Sequence, residues 1–310
     1  MEQRRFGKTN LRVSPLGFGA APIGYLDKDI DSVTRLLNGL LDAGPNLIDT
    51  AACYPGSEPL VGRAIGHRRD DYVLVTKCGH EVDGTSAKEW SADLIAQTVE
   101  RALKRLRTDR IDVMLLHTCS LETLKQGDVI DALVKARKAG KVRFCGYSGD
   151  NEAAAYAAGL SEVSVIQTSV NICDQANIEK VLPRARENDI GVLAKRPIAN
   201  AAWKELSEQK GIYQNYARTY RERLLASGLT PAQLGFEGDP QQLWPRIALR
   251  FTVSQQGVHT AIAGTTSLEN AKANLAAVEE GPLSNEVTEQ IRQAFQKAQA
   301  RSGQEWAGLT

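Results

Sequence analysis

The segment that decides the fold is residues 46–58, which read NLIDTAACYPGSE. Its short apolar run ends on Asp49, and Tyr54 and then a Pro-Gly turn follow. This pattern predicts a buried strand that carries an acid at its C-terminal end and a loop that carries a phenol.

Two later apolar runs also end on a titratable residue. Residues 72–77 end on Lys77, and residues 111–117 end on His117. If the three runs are neighbouring parallel strands, their ends lie ~4.8 Å apart. We therefore expect the aspartate, the tyrosine, the lysine and the histidine to share one edge of a sheet.

These four side-chain types suit proton transfer to a carbonyl oxygen. A lysine that is held by an aspartate beside a tyrosine is expected to lower the phenol pKa from ~10. Such a tyrosine can protonate a carbonyl oxygen near neutral pH. Taken singly, the residues are more simply a turn former, a solvent-facing lysine and a structural histidine, so the interpretation depends on the joint pattern.

Composition and charge exclude several classes of protein. The chain has 310 residues, is 42% hydrophobic and carries a formal net charge of +1, which predicts no nucleic-acid or membrane partner. It contains no 18-residue apolar run and no signal-peptide start, so we expect a cytoplasmic protein. Five cysteines without CxxC spacing indicate free thiols, and four histidines without ligand spacing indicate no metal.

Strand-like and helix-like segments alternate eight times along the chain. Such alternation builds a parallel sheet with helical crossovers. We expect a (β/α)8 TIM barrel, with a doubly wound sheet as the alternative. In a barrel the active face lies at the C-terminal strand ends, which is where the four residues above are placed.

Three additions to the barrel are expected within a single domain over residues 1–310. A hairpin turns near residues 7–10, residues 13–19 form the first core strand, and an extra helix covers residues 285–300. A long insert follows the seventh strand at residues 200–244. Within it, Tyr213, Tyr216 and Tyr220 lie on one helical face, which either packs on the barrel or forms a lid over a substrate pocket.

Motifs along nearly the whole chain match those of a known family. In order they are Asp49-Thr50-Ala51 with Tyr54 and Ser57-Glu58, Thr76-Lys77, Arg105-Leu106 with Asp109, Ile111-Asp112 and Leu115-Leu116-His117, Gly140-Lys141-Val142-Arg143 with Gly146-Tyr147-Ser148, Gln167, and Gly264-Thr265-Thr266-Ser267 with Asn274. On these residues the chain resembles the aldo-keto reductases. The resemblance implies a barrel enzyme that uses NAD(P)H to reduce carbonyl compounds.

The resemblance also implies a role for each site residue. Tyr54 is the proton donor or acceptor, Lys77 paired with Asp49 tunes it, and His117 orients the carbonyl. Ser148 and Gln167 hold the nicotinamide carboxamide. A loop and helix start hold the adenosine end, where free N–H groups favour a phosphate. These residues are Gly264, Thr265, Thr266, Ser267, Asn270 and Asn274.

Three positions depart from the family pattern. Gly149 replaces an asparagine after the strand-five serine, and Ala263 replaces a proline. Lys195 stands where an aromatic ring commonly stacks on the nicotinamide. Arg196 beside it is either a bidentate ligand of the pyrophosphate or one half of an ordinary surface pair with Lys195.

The sequence therefore predicts NADPH-dependent reduction of small aldehydes or ketones by hydride transfer, with tyrosine as the general acid. Hydroxyls and backbone N–H groups near Thr265 favour NADPH, and NADH is left possible. One alternative is an NAD(P)-dependent sugar or alcohol dehydrogenase that works in the oxidative direction. Another is a cofactor-sensing regulatory subunit with slow turnover.

Overall fold

A short antiparallel hairpin begins the computed structural model, which describes residues 2–209 and 213–310. Strand β1 (Arg4–Arg5) pairs with β2 (Arg12–Val13), and the turn between them is the predicted one. The strand expected over residues 13–19 is confirmed for residues 16–19 only, because residue 13 belongs to the hairpin and residues 14–15 to neither strand. Pro15 lacks an N–H group for a strand ladder, and the Ser14 N–H bonds to the Asn46 side chain at 2.7 Å.

The main sheet is a closed barrel of eight parallel strands, which confirms the TIM barrel and excludes the doubly wound alternative. The strands follow chain order around the barrel, and the last closes the ring against the first. They are β3 (Leu16–Gly19), β4 (Leu47–Asp49), β5 (Val73–Cys78), β6 (Ile111–His117), β7 (Val142–Ser148), β8 (Val163–Ser169), β9 (Gly191–Lys195) and β10 (Thr260–Ala263).

Helices connect these strands and cover the outside of the barrel. Ser91 caps one of them by accepting a hydrogen bond from the Leu94 N–H at 3.2 Å. The helical segment over residues 176–187 is interrupted at residue 181, two residues before Pro183. The helices before the insert are α1 (Ala21–Tyr25), α2 (Ile30–Asp42), α3 (Ser57–Ile65), α4 (Ala92–Leu106), α5 (Leu121–Gln126), α6 (Asp128–Lys138), α7 (Asn151–Ala157), α8 (Ala176–Lys180) and α9 (Leu182–Glu187).

The 200–244 insert follows β9, and residues 210–212 of it lie outside the described residues. It contains α10 (Tyr213–Ser227), and α11 (Pro240–Ser254) begins at its end because Asp239 caps that helix. The helices α12 (Leu268–Glu279) and α13 (Asn285–Ser302) follow, and α13 is the predicted extra helix. In the described part of the chain, no helix is long and apolar enough to cross a membrane.

Apolar side chains from alternate strand positions fill the barrel interior. Phe6 of the hairpin is fully buried and closes the N-terminal end. Above it lie Leu47, Val75, Leu115, Val165 and Leu193. Because strand side chains alternate between two faces, the inward positions two residues further on come next toward the C-terminal mouth. These positions are Asp49, Lys77, His117, Gln167 and Lys195.

At the opposite end of the barrel, a buried carboxylate ties together the starts of three strands. Asp112 on β6 accepts hydrogen bonds from Arg69 at 2.6 Å, from Arg143 at 2.8 Å and from the Leu74 N–H at 2.9 Å. The side chains of Asp112 and Arg69 are only 3% and 10% exposed, so Arg69 depends on this carboxylate for a charged partner that water does not replace.

We predict that Asp112→Ala lowers the free energy of unfolding by about 3–5 kcal/mol, because it leaves the Arg69 cation buried without its partner. Urea denaturation followed by circular dichroism measures this change. The matched control is Asp70→Ala, which breaks the pair with Arg110 at a side chain that is 89% exposed and should change stability little. Equal effects of the two substitutions would contradict the assignment of Asp112 as a structural anchor.

Candidate active site

A buried ion pair lies at the centre of the C-terminal mouth of the barrel. The Lys77 ammonium donates to both carboxylate oxygens of Asp49 at 2.8 Å and to the Thr50 carbonyl at 2.7 Å. An ammonium has three donors, so these bonds account for all of them. Lys77 is therefore held in one position, and its side chain is fully shielded from solvent.

A chain of hydrogen bonds continues from this pair across the mouth. The Gln167 side-chain amide donates to Asp49 at 2.8 Å, and the Ser148 hydroxyl donates to the Gln167 side-chain oxygen at 2.9 Å. Burial raises the pKa of Asp49, while Lys77 and Gln167 act against that shift. Residues from β4, β5, β7 and β8 thus form one buried network.

Tyr54 lies over the ion pair on the loop after β4. The Lys77 ammonium is 5.1 Å from the centre of the Tyr54 ring, and the rings of Tyr54 and His117 lie edge to face with centres 6.0 Å apart. Burial and then the charge of Asp49 raise the pKa of Tyr54 well above its ordinary value. The expected lowering of the phenol pKa is therefore wrong, because burial of the phenol and then the nearby charge of Asp49 act in the opposite direction.

His117 is also held in its neutral form. Burial lowers its pKa well below the ordinary value, and the charges of Lys77 and His80 lower it further. Its Nδ1 atom lies 3.3 Å from the Cys53 sulfur. Burial raises the pKa of the Cys53 thiol, so this contact joins a neutral thiol to a neutral imidazole.

His80 is a neighbour of this site that the sequence motifs do not reveal. Its ring centre lies 5.3 Å from that of His117 and 5.0 Å from that of Trp90. Its Nδ1 atom is 2.7 Å from a Glu89 carboxylate oxygen. The position of His80 three residues after Lys77 is its only sequence signal, because Glu89 comes from a loop with no motif.

Lys195 forms a buried ion pair rather than the surface pair that is one of the two expectations. Its ammonium lies 2.8 Å from Asp150, and the Asp150 side chain is fully buried. Asp150 also accepts bonds from Thr168 and Asn177. Burial acts to raise the pKa of Asp150, but Lys195, the Ser169 N–H and the charge of Arg196 outweigh it and lower that pKa. Asp150 follows the Ser148-Gly149 motif directly, which is a signal that sequence reasoning missed.

Arg196 is half-buried at the rim beside this pair. Its guanidinium lies 5.5 Å from the centre of the exposed Tyr216 ring and donates to the Leu309 carbonyl. A longer contact of 3.5 Å joins it to the Ser169 hydroxyl. Its backbone φ is +55°, in the left-handed region that costs energy for a residue other than glycine. Arg196 therefore contacts other parts of the chain at the end of β9 and stays partly exposed.

The loop from Gly264 into α12 lies beside β3 and uses part of its own hydrogen-bonding capacity. The Ser267 hydroxyl caps α12 by accepting from the Asn270 N–H at 3.3 Å, and the Thr265 hydroxyl accepts from the Ser267 N–H at 3.1 Å. Thr266 and Asn274 are half-buried beside them. Two of the three hydroxyls predicted to bind phosphate are thus already engaged as acceptors.

The helix of the insert has two different sides toward the barrel. Tyr220 is buried, and its hydroxyl donates to Asp174 at 3.0 Å. Tyr216 is 48% exposed and covers Arg196. The insert helix therefore packs on the barrel through Tyr220, and the interpretation of this segment as a lid stays a prediction.

The predicted site residues fall into three groups at this face. The first group meets in one hydrogen-bond network or ring cluster, the second lies at the end of β9, and the third follows β10. Among residues 2–209 and 213–310, no cluster of three or more His, Cys, Asp or Glu side chains is suited to a metal. The groups are Asp49, Tyr54, Lys77, His117, Ser148 and Gln167; Lys195 and Arg196; and Gly264, Thr265, Thr266, Ser267, Asn270 and Asn274.

The chain matches known proteins along most of its length. The model of the Aldo/keto reductase family matches residues 15–296. An L-galactose dehydrogenase from Arabidopsis thaliana is 26% identical, over 90% of this chain and 89% of that protein. An NADH-specific methylglyoxal reductase from Escherichia coli is 26% identical, over 90% of this chain and 94% of that protein. A solved aldo-keto reductase from Bacillus halodurans in its holo form is 27% identical with a TM-score of 0.78, over 95% and 96% of the two chains.

We predict that His117 stays neutral when the folded protein is acidified through its ordinary pKa of 6.5. In the unfolded chain this histidine gains a proton there, so the free energy of unfolding should fall as the pH drops below that value. Nitrogen-15 NMR of histidine-labelled protein should show one protonated and one unprotonated ring nitrogen. His117→Gln should show a weaker decline in stability. A titration midpoint at or above 6.5 would contradict the prediction.

Proposed function

The chain belongs to the aldo/keto reductase family, and from that premise we propose that it reduces small aldehydes and ketones to alcohols with NADPH, with Tyr54 as the general acid. Family membership makes it an NAD(P)-dependent oxidoreductase of small carbonyl compounds. The choice of NADPH and the residue roles are our proposal. It depends above all on the buried Lys77–Asp49 pair beside Tyr54 and His117.

Tyr54 is suited to give a proton to a carbonyl oxygen. Its raised pKa keeps the phenol protonated at neutral pH, so the proton is in place before the reaction begins. After transfer, the phenolate lies beside the Lys77 ammonium, which stabilises the new negative charge in a site of low polarity. Asp49 holds that ammonium and balances its charge in the resting state.

His117 is suited to orient the same oxygen. The Cys53 sulfur lies 3.3 Å from its Nδ1 atom, and we propose that the thiol donates there so that the Nε2–H group is the donor toward the substrate. A neutral imidazole donates one hydrogen bond without competing with Tyr54 as an acid. We propose that the carbonyl oxygen lies between these two donors.

The residues at the mouth fit a nicotinamide dinucleotide, which supplies the hydride when bound. Ser148 and Gln167 are oriented by their mutual bond and by Asp49, and each keeps further hydrogen-bonding capacity for a carboxamide. At Gly264 a side chain would come within 2.8 Å of the Gly19 carbonyl oxygen, so bare backbone borders the mouth there. Arg196 adds a cation between these two points.

The preference for NADPH depends on the loop before α12. Ser267 and Thr265 accept bonds within the loop and keep their O–H groups as donors. Together with the Thr266 hydroxyl, the first N–H groups of α12 and the Asn270 and Asn274 amides, they are available for a 2′-phosphate. The exposed Lys272 adds positive charge one turn into the helix. One relative is named for NADH, so NADH remains the alternative cofactor of this proposal.

The reductive direction is supported by the electrostatics of Tyr54. A dehydrogenase would need the phenolate as a base, and burial disfavours that form at neutral pH. A purely regulatory role is disfavoured because all four catalytic residue types are present with an intact Lys77–Asp49 pair. We further propose that the chain is one barrel domain in which residues 200–244 act as the lid, with Tyr216 at its inner edge.

We predict that Tyr54→Phe lowers reductase turnover by about 100-fold or more, because it removes a general acid and keeps the ring. NADPH consumption with a panel of small aldehydes measures turnover, and fluorescence titration should show nearly unchanged NADPH affinity. The matched control is Tyr156→Phe, which removes a phenol from α7 on the outside of the barrel. Activity within a few-fold of the parent would exclude Tyr54 as the acid.

We predict that the unmodified protein binds NADPH about tenfold or more tightly than NADH, since hydrogen bonds to a charged group contribute ~1.5–3 kcal/mol each. Thr266→Ala with Lys272→Met should erode this preference and leave the NADH dissociation constant nearly unchanged. The NADH titration of the same variant is thus the internal control. Equal or tighter binding of NADH by the parent protein would reverse the cofactor assignment.

A further inference from the structure

The last residues of the sequence lie across the same mouth as the candidate site. Residues 306–310, here called the tail segment, follow α13 and run over the ends of β7, β8 and β9. Their backbone groups form hydrogen bonds with side chains at or just after these strand ends, so the tail segment is packed against the C-terminal mouth of the barrel.

Trp306 anchors the start of the tail segment. It is 8% exposed, and its ring packs edge to face against Phe295 of α13 with centres 5.1 Å apart. The guanidinium of Arg223 lies 5.5 Å from the centre of the Trp306 ring and donates to the Ala307 carbonyl at 2.9 Å. These contacts fix the position from which the following residues cross the ends of the strands.

Asn151 clasps the middle of the tail segment. Its side-chain oxygen accepts from the Gly308 N–H at 2.7 Å, and its side-chain nitrogen donates to the Gly308 carbonyl at 2.9 Å. The Leu309 N–H then donates to Asp174 at 3.0 Å. These three bonds present the Leu309 carbonyl to the residues at the end of β9.

Arg196 is the residue that receives this carbonyl. One arm of its guanidinium donates to the Leu309 oxygen, which also accepts from Ser169 at 3.2 Å, and Tyr216 covers one face of the group. A guanidinium has five N–H donors, so others remain for an anion. The tail segment therefore holds the Arg196 guanidinium in place and leaves some of its N–H donors available.

The backbone that carries Arg196 also needs external support. Arg196, Ala199, Asn200 and Ala201 have φ values between +44° and +55°. Such left-handed conformations persist only where surrounding contacts hold them. The bond from Arg196 to the tail segment is one such contact, and the bond from Asn200 to the Tyr216 carbonyl of the insert helix is another.

We propose that the tail segment is a positioning element for the cofactor, which preorganises Arg196 to bind the pyrophosphate of the dinucleotide. The inference depends on the proposed function, because it assumes that Arg196 faces a bound dinucleotide. Holding a long side chain in its binding conformation before the ligand arrives removes an ordering cost from the binding step. Release of the tail segment should then weaken dinucleotide binding while the catalytic residues stay unchanged.

The test uses Asn151→Gly, which deletes both bonds to Gly308. Glycine accepts the φ of +57° at this position without strain, so the backbone of α7 is expected to keep its course. The matched control is Glu305→Gln. It breaks the surface ion pair between Glu305, which directly precedes the tail segment, and Lys180, and it leaves the bonds between Asn151 and Gly308 intact. Arg196→Met is made alone and together with Asn151→Gly.

Fluorescence titration with NADPH and calorimetry with adenosine 2′-phosphate are run on all five proteins. We expect Asn151→Gly to weaken NADPH binding by about threefold to tenfold and to leave binding of adenosine 2′-phosphate, which lacks the pyrophosphate, unchanged. In the Arg196→Met background the same substitution should have no further effect. Glu305→Gln should behave like the parent.

Three results would overturn the proposal. They are unchanged NADPH affinity in Asn151→Gly, an equal loss in the presence and absence of Arg196, and a parallel loss for adenosine 2′-phosphate. A general loss of fold would produce the last of these and would also lower the unfolding midpoint of the variant. Failure of the parent protein to bind NADPH or NADH is a separate result, because it would contradict the proposed function itself.

Discussion

The buried ion pair between Lys77 and Asp49 is the interaction on which the C-terminal face of this barrel depends. Each of these charges costs several kcal/mol to remove from water unless it is paired and hydrogen-bonded. The pair meets that requirement with bonds to the Thr50 carbonyl and the Gln167 amide. Loss of either partner would leave a buried charge and disturb three strands together, so the pair is structural as well as chemical.

Burial also sets the protonation states around this pair. It raises the pKa of Tyr54 and lowers the pKa of His117, so both side chains are neutral at neutral pH. The Cys53 sulfur contacts the Nδ1 atom of His117 at 3.3 Å. Two neutral polar rings thus lie beside one buried ion pair, and this arrangement supports the proposed proton transfer to a carbonyl oxygen.

A second group of charges borders the first at the ends of β7 and β9. Lys195 pairs with buried Asp150, and Arg196 is held between Tyr216 and the tail segment. This arrangement places two cations in fixed positions at the end of β9. Arg196 contacts both the insert helix and the tail segment, so parts of the chain that are far apart in sequence meet at the C-terminal mouth of the barrel.

The sequence by itself determined the barrel and the candidate catalytic residues, because both are written in local patterns. Strand and helix periods give the order of elements, and the period of two places Asp49, Lys77 and His117 on the inward side at the mouth. Their catalytic roles remain predictions. Tertiary structure alone decided the direction of the Tyr54 pKa, the pairing of Lys195 with Asp150 and the bond from Arg196 to Leu309. The reason is physical: desolvation and ion pairing sum over neighbours in space, and these neighbours come from distant parts of the chain that no local pattern connects.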